Sequence, residues 1–428
     1  MLSVPVHFNH HVIADLSVES KEDRYYFTYT PKWQKEGYAV SPHLKLNNSA
    51  DSGTVKRFLE NLLPEGRGLE TLLHYMHLSH SNIFGLIQAM GFESSGALSF
   101  GEDEVQKDAL FRPVSKEELE KRIDEIESKS ITIWDKKQRL SLAGVQEKLP
   151  VLYKEGELGL ADGTLSSTHI LKFQTQRTEH IVINEYYCMS LAKQCNLSVA
   201  PVYLQRYGKH PVLMVERFDR KVEAGHIERL HLIDGCQMLD LPPSYKYERN
   251  FGSGRDVQHI REGVSFKKLF ASTELCEVPA TAKLKLLDWT IFNLIIGNAD
   301  AHGKNISYFV KGSGISVAPY YDLLSIVMHE GVDHDLAMAF GDEFNSDKVA
   351  GYPLRDFCEE TGLNPKLVSA RIKALCKRVN EQNSADLLRS VVLNEKERFF
   401  VEKLIKLIES RVLKLMGYAD EMLKVSWE

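Results

Sequence analysis

Eight consecutive residues, Asn298–Asn305 (NADAHGKN), hold an aspartate, a histidine, a lysine and two asparagines, more polar chemistry than a surface turn needs. They follow the apolar run LKLLDWTIFNLIIG and lead at once into apolar ISYFV. The spacing predicts a helix with Leu287, Ile291, Leu294 and Ile295 on one face, ended by Gly297 in a left-handed conformation. A hairpin (ISYFV-KGSG-ISVAP) then carries the chain to Tyr321 and Asp322. Because a hairpin returns to its own start, Asp322 is expected beside Asn305, with Asp300 close by. Two carboxylates and an amide suit Mg²⁺, which takes oxygen ligands and few protein carboxylates and leaves the remaining positions to phosphates and water. An Asp, an Asn five residues on, a hairpin and a second Asp follow the order used in protein kinases. There the first Asp receives the acceptor proton and the other two residues hold metal.

Phosphoryl transfer also needs a cation on the phosphates and a cradle for them. Lys172 stands in the middle of the apolar strand HILKF, and Glu185 on the next helix could pair with it. Ser141–Lys148 (SLAGVQEK) is small and polar enough for its backbone N–H groups to approach phosphates. Glu216–Phe218, in VERFD, ends a hairpin where backbone groups could read an adenine edge, as an interlobe hinge does. Each feature alone has an ordinary reading. An Asp–Asn pair is common in surface loops, Lys172 could snorkel from an edge strand, and Glu216 could belong to a surface ion pair. SLAGVQEK matches neither G-x-G-x-x-G nor a Walker A loop. Their order is the informative part: loop, strand lysine, helix acid, hinge, helical lobe, Asp–Asn pair, hairpin, Asp.

These parts need elements to hold them, and at 428 residues two or three domains are expected. Strands and two helices alternate over residues 1–105: RYYFTYT and SSGALSF read as strands, KRFLENLL and NIFGLIQAMG as helices. Residues 106–138 are charge-dense and read as a solvated linker with one exposed helix. Residues 139–225 read as a small nucleotide-binding lobe, with strands LPVLY and THILKF, a turn region at GELGLADG, the helix INEYYCMSLAKQCNL and a hairpin. From 226 to 428 the apolar spacing is helical apart from the hairpin before Asp322. The fold class is therefore α+β: two-lobed and protein-kinase-like, with a mixed α/β amino-terminal part and an all-α carboxy-terminal lobe.

Composition narrows the classes. The hydrophobic fraction is 43%, the charged fraction 26% and the net charge −6, values of a globular chain that does not coat nucleic acid unaided. No run reaches the ~18 apolar residues of a membrane span, and the amino terminus does not read as a signal peptide. Six scattered cysteines without CxxC spacing suit a reduced, cytoplasmic compartment.

SLAGVQEK, THILKF, NEYYCMSLAKQ, VERFDR, LPPSYKYE, IGNADAHGKN and YYDLLS together resemble the HipA family of serine/threonine kinase toxins. FLENLLPEG and SSGALSF are similar to that family's first subdomain, so the resemblance spans residues 40–420. It implies an ATP- and Mg²⁺-dependent toxin of a bacterial toxin–antitoxin module. Its partner would be a HipB-like helix-turn-helix antitoxin dimer, operator DNA being held mainly through the antitoxin in a co-repressing complex. A protein substrate, of which aminoacyl-tRNA synthetases are one class the family suggests, is implied as well. Carried over by motif, Asp300 is the catalytic residue and Asn305 and Asp322 hold Mg²⁺. Ala143, Gly144, Val145, Gln146, Glu147, Lys148, Lys172, Glu216, Arg217, Phe218, His302, Gly303, Lys304, Asn305, Tyr321 and Asp322 would contact nucleotide. Ser141 matches the serine that such kinases autophosphorylate. A phosphate of about −1.5 to −2 charges there would repel ATP and switch the enzyme off. The chain departs from the family at LKFQ, where many members carry an apolar residue and then Pro, and at the acidic DFCEETG. Lys366, Arg371, Lys373, Lys377 and Arg378 read as a solvated helix face rather than a DNA-contacting patch. A catalytically inactive ATP-binding co-repressor and a small-molecule kinase are the competing readings.

Overall fold

Alternation of apolar and polar residues decides the first elements. LSVPVHF, HVIADLSVE and RYYFTY form the strands Leu2–Phe8, His11–Glu19 and Arg24–Tyr29, antiparallel in sequence, with Leu98–Phe100 added beside the first. The structure, a computed structural model, describes residues 1–425 except 48, 91–93, 102–109, 136, 140–145, 164 and 224–225. The chain divides into two discontinuous units. One comprises Met1–Glu179, Gln205–Pro243 and Tyr308–Ile315; the other comprises His180–Leu204, Ser244–Ser307 and Ser316–Glu428.

The second sheet of the first unit sets His210–Glu216, His169–Phe173, Lys148–Lys154, Glu157–Asp162 and Leu110–Pro113 side by side in that order. Two expectations are corrected here. GELGLADG, read as a turn region, is the strand Glu157–Asp162; the turn is the preceding Glu155–Gly156, both at positive φ. Gly159 allows the close approach of Leu110–Pro113, because a Cβ there would lie 2.4 Å from the Phe111 ring. The charge-dense stretch 106–138 is not a solvated linker. It supplies the edge strand Leu110–Pro113 and the helix Lys116–Asp124, capped by Ser115. Leu119, Ile123, Ile131 and Trp134 pack with Leu149, Val151, Leu171, Phe173, Val212 and Met214 in one core. The charges lie on the outer face, and the apolar residues between them were spaced for burial.

The second unit is built around the helix Pro279–Ile296, which starts with Pro at its first turn and ends at Gly297 with φ 69°. It was expected to bury one face, yet every residue from Leu286 to Ile296 is buried. Around it stand Ile181–Gln194, Phe266–Ser272, Gly351–Thr361, Pro365–Gln382 and Glu395–Glu421. Asn394 and Glu397 close a reciprocal cap on the last of these. The carboxy-terminal part is not all-α. Besides the expected hairpin, Leu232–Asp234 is a strand and Asp335–Phe340 pairs with Glu343–Asn345. LAMAF is buried on both faces, so it lacks the alternation that marks a half-exposed strand. On Pro365–Gln382, Arg371 holds Asp288 through two bonds, Lys373 meets Asp420, and Arg378 donates to the Cys195 carbonyl. Those three cations are engaged within the protein, as a structural helix face requires. All six cysteines are buried free thiols. Among the described residues no helix is long and apolar enough to cross a membrane.

Candidate active site

The residues singled out in the sequence fall into two clusters, one in each unit. In the first unit, pairing between Lys148–Lys154 and His169–Phe173 sets Lys172 directly opposite Lys148. Both side chains are buried. Residues directly opposite on a sheet have Cβ atoms about 5 Å apart on the same face, where two like charges disfavour each other. Such a pair is held together at least cost when an anion lies over it. The same alternation assigns Pro150, Ile170, Leu213 and Val215 to this face and Leu149, Leu171 and Met214 to the core face. One side of the sheet thus combines a cationic pair with an apolar wall, which complement the phosphates and the base of a nucleotide. The wall was legible in LPVLY, HILKF and PVLMVE, but the sequence reading picked out only Lys172 and Lys148.

The segments flanking this face are held in place. Gln146 donates its side-chain amide to the Phe173 carbonyl at 3.1 Å, and the Glu147 carbonyl accepts from the Phe173 N–H at 3.0 Å. Burial pushes the Glu147 carboxyl up, opposed by Arg67 at 3.0 Å. Ser141, Ala143, Gly144 and Val145 lie outside the described residues. In the VERFD segment, the Arg217 guanidinium is committed to Asp219, Ser167 and the Ser94 carbonyl, and its N–H to the Thr168 carbonyl. Arg217 therefore builds the segment. Phe218 packs edge-on against Phe309 at 5.9 Å.

In the second unit the polar loop is a short hydrogen-bonded circuit that starts at Gly297. A Cβ there would lie 2.5 Å from Val327, so only glycine both turns left-handed and fits. Asn298, fully buried, is the hub: its amide donates to Asn293 Oδ1 at 2.8 Å and to the Asp322 carbonyl at 3.1 Å, and its Oδ1 accepts from the Asp300 N–H at 3.2 Å. Asn305 donates its side-chain amide to the Asp300 carbonyl at 2.8 Å, which leaves Oδ1 as the atom of that amide suited to a cation. The hairpin closes as expected: Tyr321 donates to the Lys304 carbonyl at 2.7 Å and meets Ser307 Oγ at 2.7 Å, while the Ala318 N–H donates to the Ser307 carbonyl. With its own proton on Lys304, the Tyr321 oxygen accepts from Ser307. Asp322 sits at φ 53°, a backbone state that Asp tolerates better than most residues and that recurs at functional sites.

His302 and Gly303 shape the loop. His302 Nδ1 accepts from the Lys304 N–H at 3.2 Å. Burial holds its pKa well below the ordinary value, with Lys246 and Lys304 adding to the depression and Asp322 opposing it, so the ring is neutral. The Gly303 N–H donates to the Lys246 carbonyl at 2.9 Å, and a Cβ on Gly303 would lie 2.5 Å from Val264. Lys304 is buried on the same turn, and Glu185 is buried on Ile181–Gln194. Hydrogen bonds thus link Asn305 to Asp300, Asp300 to Asn298 and Asn298 to Asp322. Two carboxylates and an oriented amide oxygen on that circuit are the donor types Mg²⁺ takes, so the residues fit the ion. Two contributors went unread in the sequence: Asn298, which differs by nothing but burial from any loop asparagine, and Tyr247, whose hydroxyl donates to Asp300 Oδ1 at 2.5 Å.

Residues 4–101 match the family model of the HipA N-terminal domain, and residues 140–383 that of the HipA-like C-terminal domain. A curated relative, the serine/threonine-protein kinase toxin HipA of Shewanella oneidensis, is 40% identical over 98% of this chain and 98% of its own. The Y4mE protein of Sinorhizobium fredii is 32% identical over 82% of this chain and 83% of its own. A solved structure of the Shewanella oneidensis toxin–antitoxin system, HipA with HipB and its operator DNA, superposes with a TM-score of 0.91 at 39% identity, covering 99% of this chain and 100% of that one.

Proposed function

The chain belongs to the HipA family of serine/threonine kinases, and from that premise we propose that it transfers the γ-phosphoryl group of ATP to a serine or threonine hydroxyl of a protein. Asp300 orients that hydroxyl and takes its proton as the oxygen attacks. Lys148 and Lys172 offset charge on the phosphates, and Pro150, Ile170, Leu213 and Val215 offer apolar surface to the base. Asn305 and Asp322 would hold Mg²⁺, which would supply positive charge to offset the charge that develops during transfer. Lys304, on the same turn, can neutralise the transferring group. Ser141 is the autophosphorylation site whose modification turns the enzyme off. A HipB-like antitoxin is its partner, and with it the chain joins an operator-bound co-repressor. The toxin's assembly in the Shewanella oneidensis complex supports that part of the reading.

One observation carries the proposal: the circuit Asn305–Asp300–Asn298–Asp322 gathers an oriented amide and two aspartates that lie on either side of a hairpin. Its test is incubation of the full chain with γ-labelled ATP, Mg²⁺ and a cell lysate. Labelled protein bands that vanish with Asp300→Ala are expected. Equal labelling by that variant would refute the assignment.

A further inference from the structure

Tyr247 reaches Asp300 from LPPSYKYE, in the segment before Phe266–Ser272. Its hydroxyl lies 2.5 Å from Asp300 Oδ1, the length of a charge-assisted O–H···O⁻ bond. A phenol is a far weaker acid than a carboxyl, so the tyrosine keeps its proton and donates. An acceptor serine or threonine must make that same bond, hydroxyl to carboxylate, before its oxygen can attack. Tyr247 therefore occupies the seat of the acceptor hydroxyl.

The seat is built rather than accidental. On one side of Tyr247 the Lys246 carbonyl accepts from Gly303 of the catalytic loop. On the other, the Glu248 N–H donates to the Ala337 carbonyl, and the buried Glu248 carboxylate accepts from the Ala339 N–H at 2.8 Å and from Arg261 at 2.7 Å. The Gly263 N–H donates to the Glu248 carbonyl, and a Cβ on Gly263 would lie 1.8 Å from the Tyr247 carbonyl oxygen. The ring stands edge-on to His302 at 5.1 Å. With the backbone pinned on both sides, what can move is the side chain. At 36% exposure it has room to rotate outward.

We propose that Tyr247 is a specificity-determining stand-in for the acceptor hydroxyl: it keeps water off Asp300 and yields only to a hydroxyl whose protein is anchored elsewhere on the enzyme. The inference rests on Asp300 being the base of the proposed kinase. In the reaction it suppresses, a water oxygen forms the new bond to the γ-phosphorus, the bond to the ADP oxygen breaks, and the water proton passes to Asp300. ATP would be wasted as ADP and phosphate. Filling the base's acceptor position with a phenol that cannot be phosphorylated without leaving its seat prevents that loss.

The test compares wild-type full chain, Tyr247→Phe and Tyr247→Ala in two assays: ATP hydrolysis with no protein acceptor, and transfer to dephosphorylated casein. Tyr247→Phe keeps the ring against His302 and removes only the hydroxyl. Hydrolysis is expected to rise about ten-fold, the lower end of what a hydrogen bond to a charged group is worth. KM for casein is expected to fall while kcat changes little, a split that a merely structural role would not produce. Tyr247→Ala should move both readings in the same direction, and it decides the matter if the Phe variant fails to fold. Hydrolysis at or below the wild-type rate in a folded variant overturns the proposal. So does phosphate found on Tyr247 of the wild type by mass spectrometry, since the residue would then be an acceptor. Asp300→Asn separates the two layers. If it transfers normally, the kinase assignment of Asp300 falls; if it is dead while Tyr247→Phe matches wild type, only the stand-in role falls.

Discussion

Replacing Asn298 by Ala removes no group that would touch ATP, metal or acceptor, yet it should cripple transfer. The side chain is buried and makes three hydrogen bonds: to Asn293 Oδ1, to the Asp322 carbonyl and from the Asp300 N–H. At about 1 kcal/mol net each, their loss should destabilise the second unit by about 3 kcal/mol, somewhat more if the orphaned groups stay dry. The loop would keep Asn305 on the Asp300 carbonyl but lose the strut that sets Asp322 relative to Asp300. A misplacement of about 1 Å at a reacting centre costs on the order of 10²-fold in rate, so kcat for transfer should fall by about that factor. Urea denaturation reads the first effect and single-turnover transfer from labelled ATP the second. In an Asp300→Ala background the same substitution should still cost the stability but almost none of the remaining rate, because the two residues act on one step. An Asn298→Ala protein that loses about 3 kcal/mol and still transfers at the wild-type rate would show that the circuit stabilises the loop without aligning it, and the reasoning would fail.

Four further outcomes are expected. Lys172→Met should abolish most of the thermal stabilisation by ATP, which for a wild-type protein at 100 times its Kd amounts to about 2.7 kcal/mol; differential scanning fluorimetry with and without nucleotide measures it. Ser141→Asp should bind ATP more weakly and turn it over more slowly than Ser141→Ala, as nucleotide titration and steady-state assays would show. His231 is buried, donates Nε2–H to the Val40 carbonyl at 2.8 Å, and is held down to about 4 by burial. The unfolded chain therefore takes up a proton near 6.5 that the folded chain refuses, so stability is intact above pH 6.5 and declines as pH falls toward 4, by about 3 kcal/mol for this residue. Denaturation across that range should show the slope, and His231→Gln should flatten it. Finally, burial of all six thiols predicts slow alkylation by iodoacetamide in the native protein and rapid reaction of all six in guanidinium, read by intact mass.

Where one face of an element meets water, the sequence disclosed it. RYYFTY alternates and is a strand, and the three–four spacing of Val368, Ile372, Leu375, Cys376 and Val379 marks the helix Pro365–Gln382. Where both faces are buried, the pattern vanished. DLAMAF gave no sign of pairing with Glu343–Asn345, and the central helix showed more apolar residues than one stripe could explain. GELGLADG misled because its glycines suggested turning, whereas Gly159 serves the close approach of a neighbouring strand. The residues proposed for the chemistry stood out in the sequence for a different reason. Asp300, Asn305 and Asp322 are types whose order along the chain carries chemistry, and a hairpin between them is readable from KGSG. Asn298 and Tyr247 lie inside IGNADAHGKN and LPPSYKYE, but their roles were not legible. Their importance is a matter of burial and of which atom they reach, and neither leaves a mark in residue type or spacing.

The central claim is that Asp300 drives transfer while Asn305 and Asp322 hold the metal. Single-turnover transfer and calorimetric binding of ATP with and without Mg²⁺, run on Asp300→Ala, Asn305→Ala and Asp322→Ala, test it most directly. Asp300→Ala should bind MgATP with near wild-type affinity and transfer several orders of magnitude more slowly, whereas the other two should lose the Mg²⁺-dependent part of ATP binding. Near wild-type transfer by Asp300→Ala, or an unchanged Mg²⁺ effect in both of the other variants, would contradict the account.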